Sequence, residues 1–111
     1  MTNTYINAEI DLIKKLLVDK YHPQKIILFG FFAWGKPDRD SDIDLLIIKQ
    51  VSQPRPYREQ EVYKILTKSF AKRYLPVDII VHTQEEISER ELFGDPFVKE
   101  ILGKGKVIYE S

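Results

Sequence analysis

The chain contains no cysteine. That removes disulfides, thiolate catalysis and cysteine-based zinc sites together, and it fits a cytoplasmic protein. There is also no excess of charge, because 17 basic and 17 acidic side chains cancel to a formal net charge of zero. A protein that grips phosphate backbones carries a basic excess or a basic stripe. Neither stands out, so nucleic acid is disfavoured as a direct partner. Long apolar runs are missing too. The longest reach about four or five residues, against roughly 20 for a membrane-spanning helix, so no membrane partner is expected. The opening residues, MTNTYINAEIDLIKK, show no basic n-region and no apolar h-region, so the sequence predicts no signal peptide. There is no internal repeat and no low-complexity tract.

What is present reads as a folded α/β chain. Hydrophobic residues make up 43% and charged residues 31%, a globular composition. A length of 111 residues predicts one compact domain over 1–111. Apolar residues recur at i+3 and i+4 over 7–20, which predicts a helix with Asn7 as its N-cap. Tyr21-His22-Pro23 ends it, since the residue before proline leaves the α region. Lys25 to Phe29 and Ile43 to Ile48 read as strands, the second covered on both faces because its apolar run is continuous. Gly30 to Gly35 is a turn entering a short helix, and Pro37 to Ser41 a polar connection. A long helix is predicted over 57–74, with Val62, Ile65, Leu66, Ser69 and Phe70 inward and Glu59, Glu61, Lys64, Lys68 and Lys72 outward. Val77 to Val81 is a third strand. Thr83 with Glu86 makes a capping box for a helix over 84–92. Asp95-Pro96 starts another helix that stops near Gly103, and Lys106 to Tyr109 forms a short last strand. The order is a small layered α/β domain.

The segment LFGFFAWGKPDRDSDIDLLII, residues 28–48, holds two features foreign to an ordinary core. Asp42 and Asp44 stand one residue apart at the mouth of a strand. Strand side chains alternate faces, so the two point the same way with Cα atoms about 6.5–7 Å apart. They repel each other unless a cation lies between them. Magnesium suits such a pair, because it prefers oxygen ligands and is completed by water and substrate phosphates. A third acid, Asp78, interrupts the strand PVDIIVH. An unpaired buried carboxylate is costly, so Asp78 either reaches the strand's solvent edge or joins a charged site. With the third strand beside the second, three acids on one patch can hold two metals about 3.5–4 Å apart and support in-line displacement at phosphorus. Asp-x-Asp alone is a weak signal, and a strand-starting Asp42 with Asp44 on a nearby base is the plain alternative. The combination of strand, glycine turn, polar spacer, paired acids and a third acid on a later strand tips the balance.

The second feature is Gly30 followed by Phe31, Phe32 and Trp34. Gly30-Phe31, then ten residues, then Asp42-Ile43-Asp44 resembles the glycine-serine and paired-aspartate signature of minimal nucleotidyltransferases, the MNT proteins of the DNA polymerase beta superfamily. Ala33, Trp34, Gly35, Ser41 and Leu45-Leu46 extend the likeness. So do VDIIV around Asp78 and the closing VIYE, and together they cover residues 22–110. The resemblance implies the nucleotidyltransferase fold, a small mixed β-sheet flanked by helices. It implies ATP as substrate, Mg2+ (two ions) on Asp42, Asp44 and Asp78, Asp78 also drawing the acceptor's proton, and Gly30 and position 31 holding the triphosphate. It further implies an antitoxin that moves AMP from ATP to a tyrosine of a HEPN-domain toxin, with a homo-oligomer or hetero-oligomer left open. Transfer to RNA ends or to a small molecule such as an aminoglycoside is less favoured in so short a chain.

Phe31 departs from that pattern, standing where the family carries serine. It supplies no hydroxyl, although its backbone N–H remains for an anion. Either its ring lies near the phosphates and weakens nucleotide binding, or it turns into the core with Phe29 and Phe32. The matching alternative for function is an inactive or weak nucleotidyltransferase frame that neutralises its partner by binding. Elsewhere, His22 reads as a surface turn residue. His82 lies on the Asp78 face, within possible reach of the acids. Lys36, Arg39 and Lys49 read as solvated turn residues, with phosphate contact as the alternative. The polar side chains of the 57–74 helix read as a solvated face rather than an RNA platform.

Overall fold

The computed structural model describes residues 4–35, 41–69 and 76–111, with side chains from residue 6 onward. Helix α1 (Thr4–Lys20) leads into strand β1 (Lys25–Phe29), a one-turn helix α2 (Phe31–Trp34) and strand β2 (Ile43–Ile48). Helix α3 (Tyr57–Ser69), strand β3 (Val77–His82), helices α4 (Gln84–Leu92) and α5 (Pro96–Lys104) and strand β4 (Lys106–Glu110) complete it. The four strands form one mixed sheet in the order β3-β2-β1-β4. β1 pairs antiparallel with β2 and β4, and β2 pairs parallel with β3. This is the small mixed sheet flanked by helices that the sequence predicts.

The sheet separates two apolar layers. On one face Ile26, Leu28, Ile43, Leu45, Ile47, Val77, Ile79 and Val81 pack against α1 and α3, through Ile13, Leu17, Tyr21, Val62 and Leu66. On the other, Ile27, Phe29, Leu46 and Ile48 meet Ile87 of α4 and Val98 and Ile101 of α5. Alternation along each strand explains the division. It also explains the unbroken apolar run of β2, whose two faces are both covered.

Local signals act where the sequence places them. Thr83 accepts from the Glu86 amide, and the Glu86 side chain accepts from the Thr83 amide, closing the capping box of α4. Asp95 caps α5 by accepting from the amides of Phe97 and Val98, with Pro96 in the first turn. His22 is exposed and takes a positive φ of 57° at the turn after α1.

Some expectations are corrected. Helix α1 has already begun at Thr4, so Asn7 lies inside it, exposed, and is not its N-cap. Glu59 is buried rather than outward, because α3 lies along the outer edge of β3 and supplies acceptors to it. Its carboxylate accepts from the Val81 amide at 2.9 Å, and the Tyr63 hydroxyl accepts from the Ile79 amide at 2.9 Å. These bonds satisfy edge amides that would otherwise invite another strand. The predicted helix over 57–74 is described to Ser69; Phe70, Lys72 and the rest of 70–74 lie outside the described residues, as do 37–40 of the polar connection.

Candidate active site

The site begins where β1 ends. Phe29 stands opposite Asp44 on β2, and Asp44 stands opposite Asp78 on β3. Directly paired residues project to the same face, so Phe29, Asp44 and Asp78 form one row across three strands, on the α4–α5 side. Neighbouring strands are about 4.8 Å apart. Asp42 precedes β2 by one residue and shares the parity of Asp44. Asp42 and Asp44 are half-buried and Asp78 is exposed.

The turn after Phe29 is shaped around Asp44. Gly30 has φ +76°, and a Cβ built on it would lie 2.2 Å from Oδ2 of Asp44. Any side chain at position 30 would displace that carboxylate. Burial, then the negative charges of Asp78 and Asp42 and a hydrogen bond with Asp78, push the Asp44 carboxyl up to about 6. Among the described residues no ion pair involves Asp42, Asp44 or Asp78.

The donor set suits a hard divalent cation: carboxylate oxygens only, crowded enough to raise the pKa of one, with no basic neighbour among the described residues. Those residues contain no group of three His, Cys, Asp or Glu side chains gathered at metal-holding spacing. Magnesium does not need such a cage, since it is usually held by one or two carboxylates together with substrate phosphates and water. Asp44 and Asp78 are direct partners across β2 and β3.

Around this row lies a set of aromatic rings. Phe31 does not enter the core with Phe29 and Phe32. It is 61% exposed, and its ring lies over Gly35, where an added Cβ would meet Cδ1 at 2.4 Å. Phe32 packs at the edge of the α1–α3 core, and one turn of helix cannot direct both neighbours inward. Trp34 returns toward the sheet and stacks on Phe29, with centroids 6.5 Å apart and planes 29° off parallel. Phe97 of α5 meets Phe29 edge-on at 5.7 Å. Nothing in the local spacing of Phe97 points to the site; only the packing of α5 on β1 brings it there.

Two other expectations resolve elsewhere. Lys49 follows the far end of β2. Its ammonium donates to the Tyr21 carbonyl and sits 3.9 Å from the centroid of the Tyr21 ring, away from the acids. His82 pairs with Ile48 at that same far end, four residues and about 13 Å along the strand from Asp78. Its Nδ1 lies 3.3 Å from Glu86, which also accepts from the buried Arg58 guanidinium at 2.6 Å. Arg58 is thus a structural tie between α3 and α4, not a solvated side chain. Lys36 and Arg39 lie outside the described residues.

A glycine turn packed against the first member of an acidic row on a small mixed sheet defines a nucleotidyltransferase-type frame. The chain belongs to the nucleotidyltransferase domain family, whose model matches residues 10–109. A protein of Methanocaldococcus jannaschii named as a protein adenylyltransferase is 31% identical over 86 residues, 78% of each chain. A solved toxin–antitoxin complex with AMP-PNP superposes with a TM-score of 0.63 at 22% identity, over 93% of this chain and 73% of that one. Spectinomycin adenyltransferase from Enterococcus faecialis, solved with ATP and spectinomycin, gives 0.63 at 20% identity, over 98% of this chain and 57% of that one. At these identities the two solved structures speak to the fold.

Proposed function

We propose that this chain, acting as one minimal domain, transfers AMP from ATP to a hydroxyl acceptor, a tyrosine of a HEPN-type toxin, and so serves as an antitoxin. The observation that carries the reading is the direct pairing of Asp44 with Asp78 across β2 and β3, with Gly30 closed against Asp44. The acceptor oxygen attacks the α-phosphorus of ATP and a new P–O bond forms. The bond to the bridging oxygen of the β-phosphate breaks, and pyrophosphate leaves with that electron pair. Asp78, the exposed member of the row, faces the acceptor side and takes the hydroxyl proton. Asp42, Asp44 and Asp78 would hold Mg2+, which when bound neutralises charge on the phosphates. Gly30 and the backbone of Phe31 line the triphosphate. The relative named as a protein adenylyltransferase and the toxin–antitoxin neighbour with AMP-PNP support the acceptor class and the partner class.

The test is incubation of the full chain with ATP labelled at the α-phosphate, Mg2+ and a candidate HEPN protein. Label on the partner, lost with Asp44→Ala, is the expected result. No label, with wild type and Asp44→Ala indistinguishable, sinks the catalytic reading.

One observation favours a second reading. Phe31 brings no hydroxyl to the phosphate turn and leaves its ring in solvent, as a contact residue for a partner would. In that reading the frame neutralises the toxin by binding alone. Neutralisation would then survive Asp42→Ala and Asp44→Ala.

A further inference from the structure

Three aromatic rings meet beside the acidic row, and two of them are not used up by the core. Phe29 is the buried floor, while Trp34 stays 37% exposed and Phe97 49% exposed although both contact the Phe29 ring. Phe29 is the direct strand partner of Asp44, so this shelf adjoins the carboxylate that Gly30 packs against. A ligand with phosphates at Asp44 and a flat ring attached to them has somewhere to place the ring. Water-exposed aromatic faces bind nucleobases by stacking, with little dependence on base identity.

We propose that Trp34 and Phe97 form a stacking shelf for the purine base of the nucleoside triphosphate. The inference rests on the nucleotide-binding reading above and adds to it the residues that hold the base. Asp44, Asp78 and Gly30 act at the phosphate end; Trp34 and Phe97 act at the base end. Stacking without hydrogen-bond readout at these two residues gives affinity for purines as a group, so ATP and GTP gain similarly from the shelf.

Trp34 is the only tryptophan in the chain, so intrinsic tryptophan fluorescence reports on the shelf alone. The full chain with Mg2+ is titrated with ATP and, separately, with inorganic tripolyphosphate, while equilibrium dialysis follows labelled ATP. ATP is expected to quench the Trp34 signal and tripolyphosphate to leave it near its starting value. Trp34→Ala and Phe97→Ala are each expected to weaken ATP about tenfold and to leave tripolyphosphate affinity, read by its competition against labelled ATP in the dialysis, unchanged, which also shows that the variants are folded. Trp34→Phe, which keeps a ring, is expected to retain most of the affinity. ATP retained in dialysis with no change in fluorescence and no effect of either alanine variant overturns the shelf and leaves the nucleotide reading standing. Equal loss of ATP and tripolyphosphate also overturns it, because the residues then act on the phosphate turn. No ATP retained by the wild-type chain overturns the nucleotide reading and the shelf with it.

Discussion

Gly30 and Asp44 fit together so closely that a Cβ on the glycine would fall 2.2 Å from Oδ2 of the aspartate. Two constraints coincide there: the backbone needs a positive φ, and the carboxylate needs the space. Gly94 separates them. It has nearly the same φ, +77°, with nothing within 4 Å of a built Cβ. Gly94→Ala should therefore cost only the left-handed backbone strain, about 1–2 kcal/mol, read as a lower denaturation midpoint with AMP transfer intact. Gly30 combines φ +76° with ψ −158°, a region essentially reserved for glycine, so Gly30→Ala should cost about 1–3 kcal/mol of strain and also displace Asp44, lowering transfer about 100-fold, as a 1 Å misplacement can. In an Asp44→Ala background the added destabilisation from Gly30→Ala should shrink to the backbone strain alone, because the clash has gone. A double-mutant cycle on stability measures that coupling directly.

Phe31→Ser tests whether the aromatic substitution has weakened the nucleotide site. Because the Phe31 ring is mostly in solvent, the fold should tolerate the change with a midpoint close to wild type. A serine hydroxyl donating to a phosphate oxygen adds a charge-assisted hydrogen bond of about 1.5–3 kcal/mol. ATP affinity, measured by equilibrium dialysis, is expected to rise by tenfold or more. Unchanged affinity would mean that the backbone at position 31 already does what the hydroxyl would do.

Asp44→Asn separates the site's function from its stability. Asp44 is half-buried among two like charges, and its carboxyl is pushed up to about 6 by burial, Asp78 and Asp42. Neutralising it relieves that repulsion while keeping the shape beside Gly30. Transfer should be abolished, and the urea midpoint at pH 7 should hold or increase. A large drop in the midpoint would show that the Asp44 charge stabilises the fold through a partner.

Much of this was legible in the chain because the signals are local. Alternation gave the common face of Asp42 and Asp44, the β-turn glycine gave the bend at Gly30, and Thr83 with Glu86 announced the start of α4. What escaped depends on the third dimension. Glu59 follows an exposed helical pattern, yet α3 lies along the β3 edge and the Val81 amide needs an acceptor. Phe97 reaches the site only through the packing of α5, and no spacing rule connects it to Phe29. The destination of Phe31 was open for the same reason: a one-turn helix directs Phe32 and Trp34 to opposite sides of the sheet edge and leaves Phe31 outside.

The Arg58–Glu86–His82 cluster gives the fold an acid-sensitive tie, distinct from the acidic row. Burial raises the Glu86 carboxyl, but hydrogen bonds from Arg58, the Thr83 amide and His82 outweigh it and hold the group at about 2, against an ordinary 4.5. A depressed carboxylate pKa contributes stability that is complete above about 4.5 and is lost as pH falls through about 2. His82 acts with the same sign. Burial lowers its pKa below 6.5 despite the Glu86 hydrogen bond, so the unfolded chain takes up the proton first and stability falls as pH drops below 6.5. Wild type should therefore lose stability progressively from about pH 6.5 downward. In Glu86→Gln the stability at pH 7 should be lower, and the slope below pH 4.5 shallower, so that the two curves converge near pH 2. Parallel curves from urea denaturation across that range would show that the Glu86 charge is not what Arg58 stabilises.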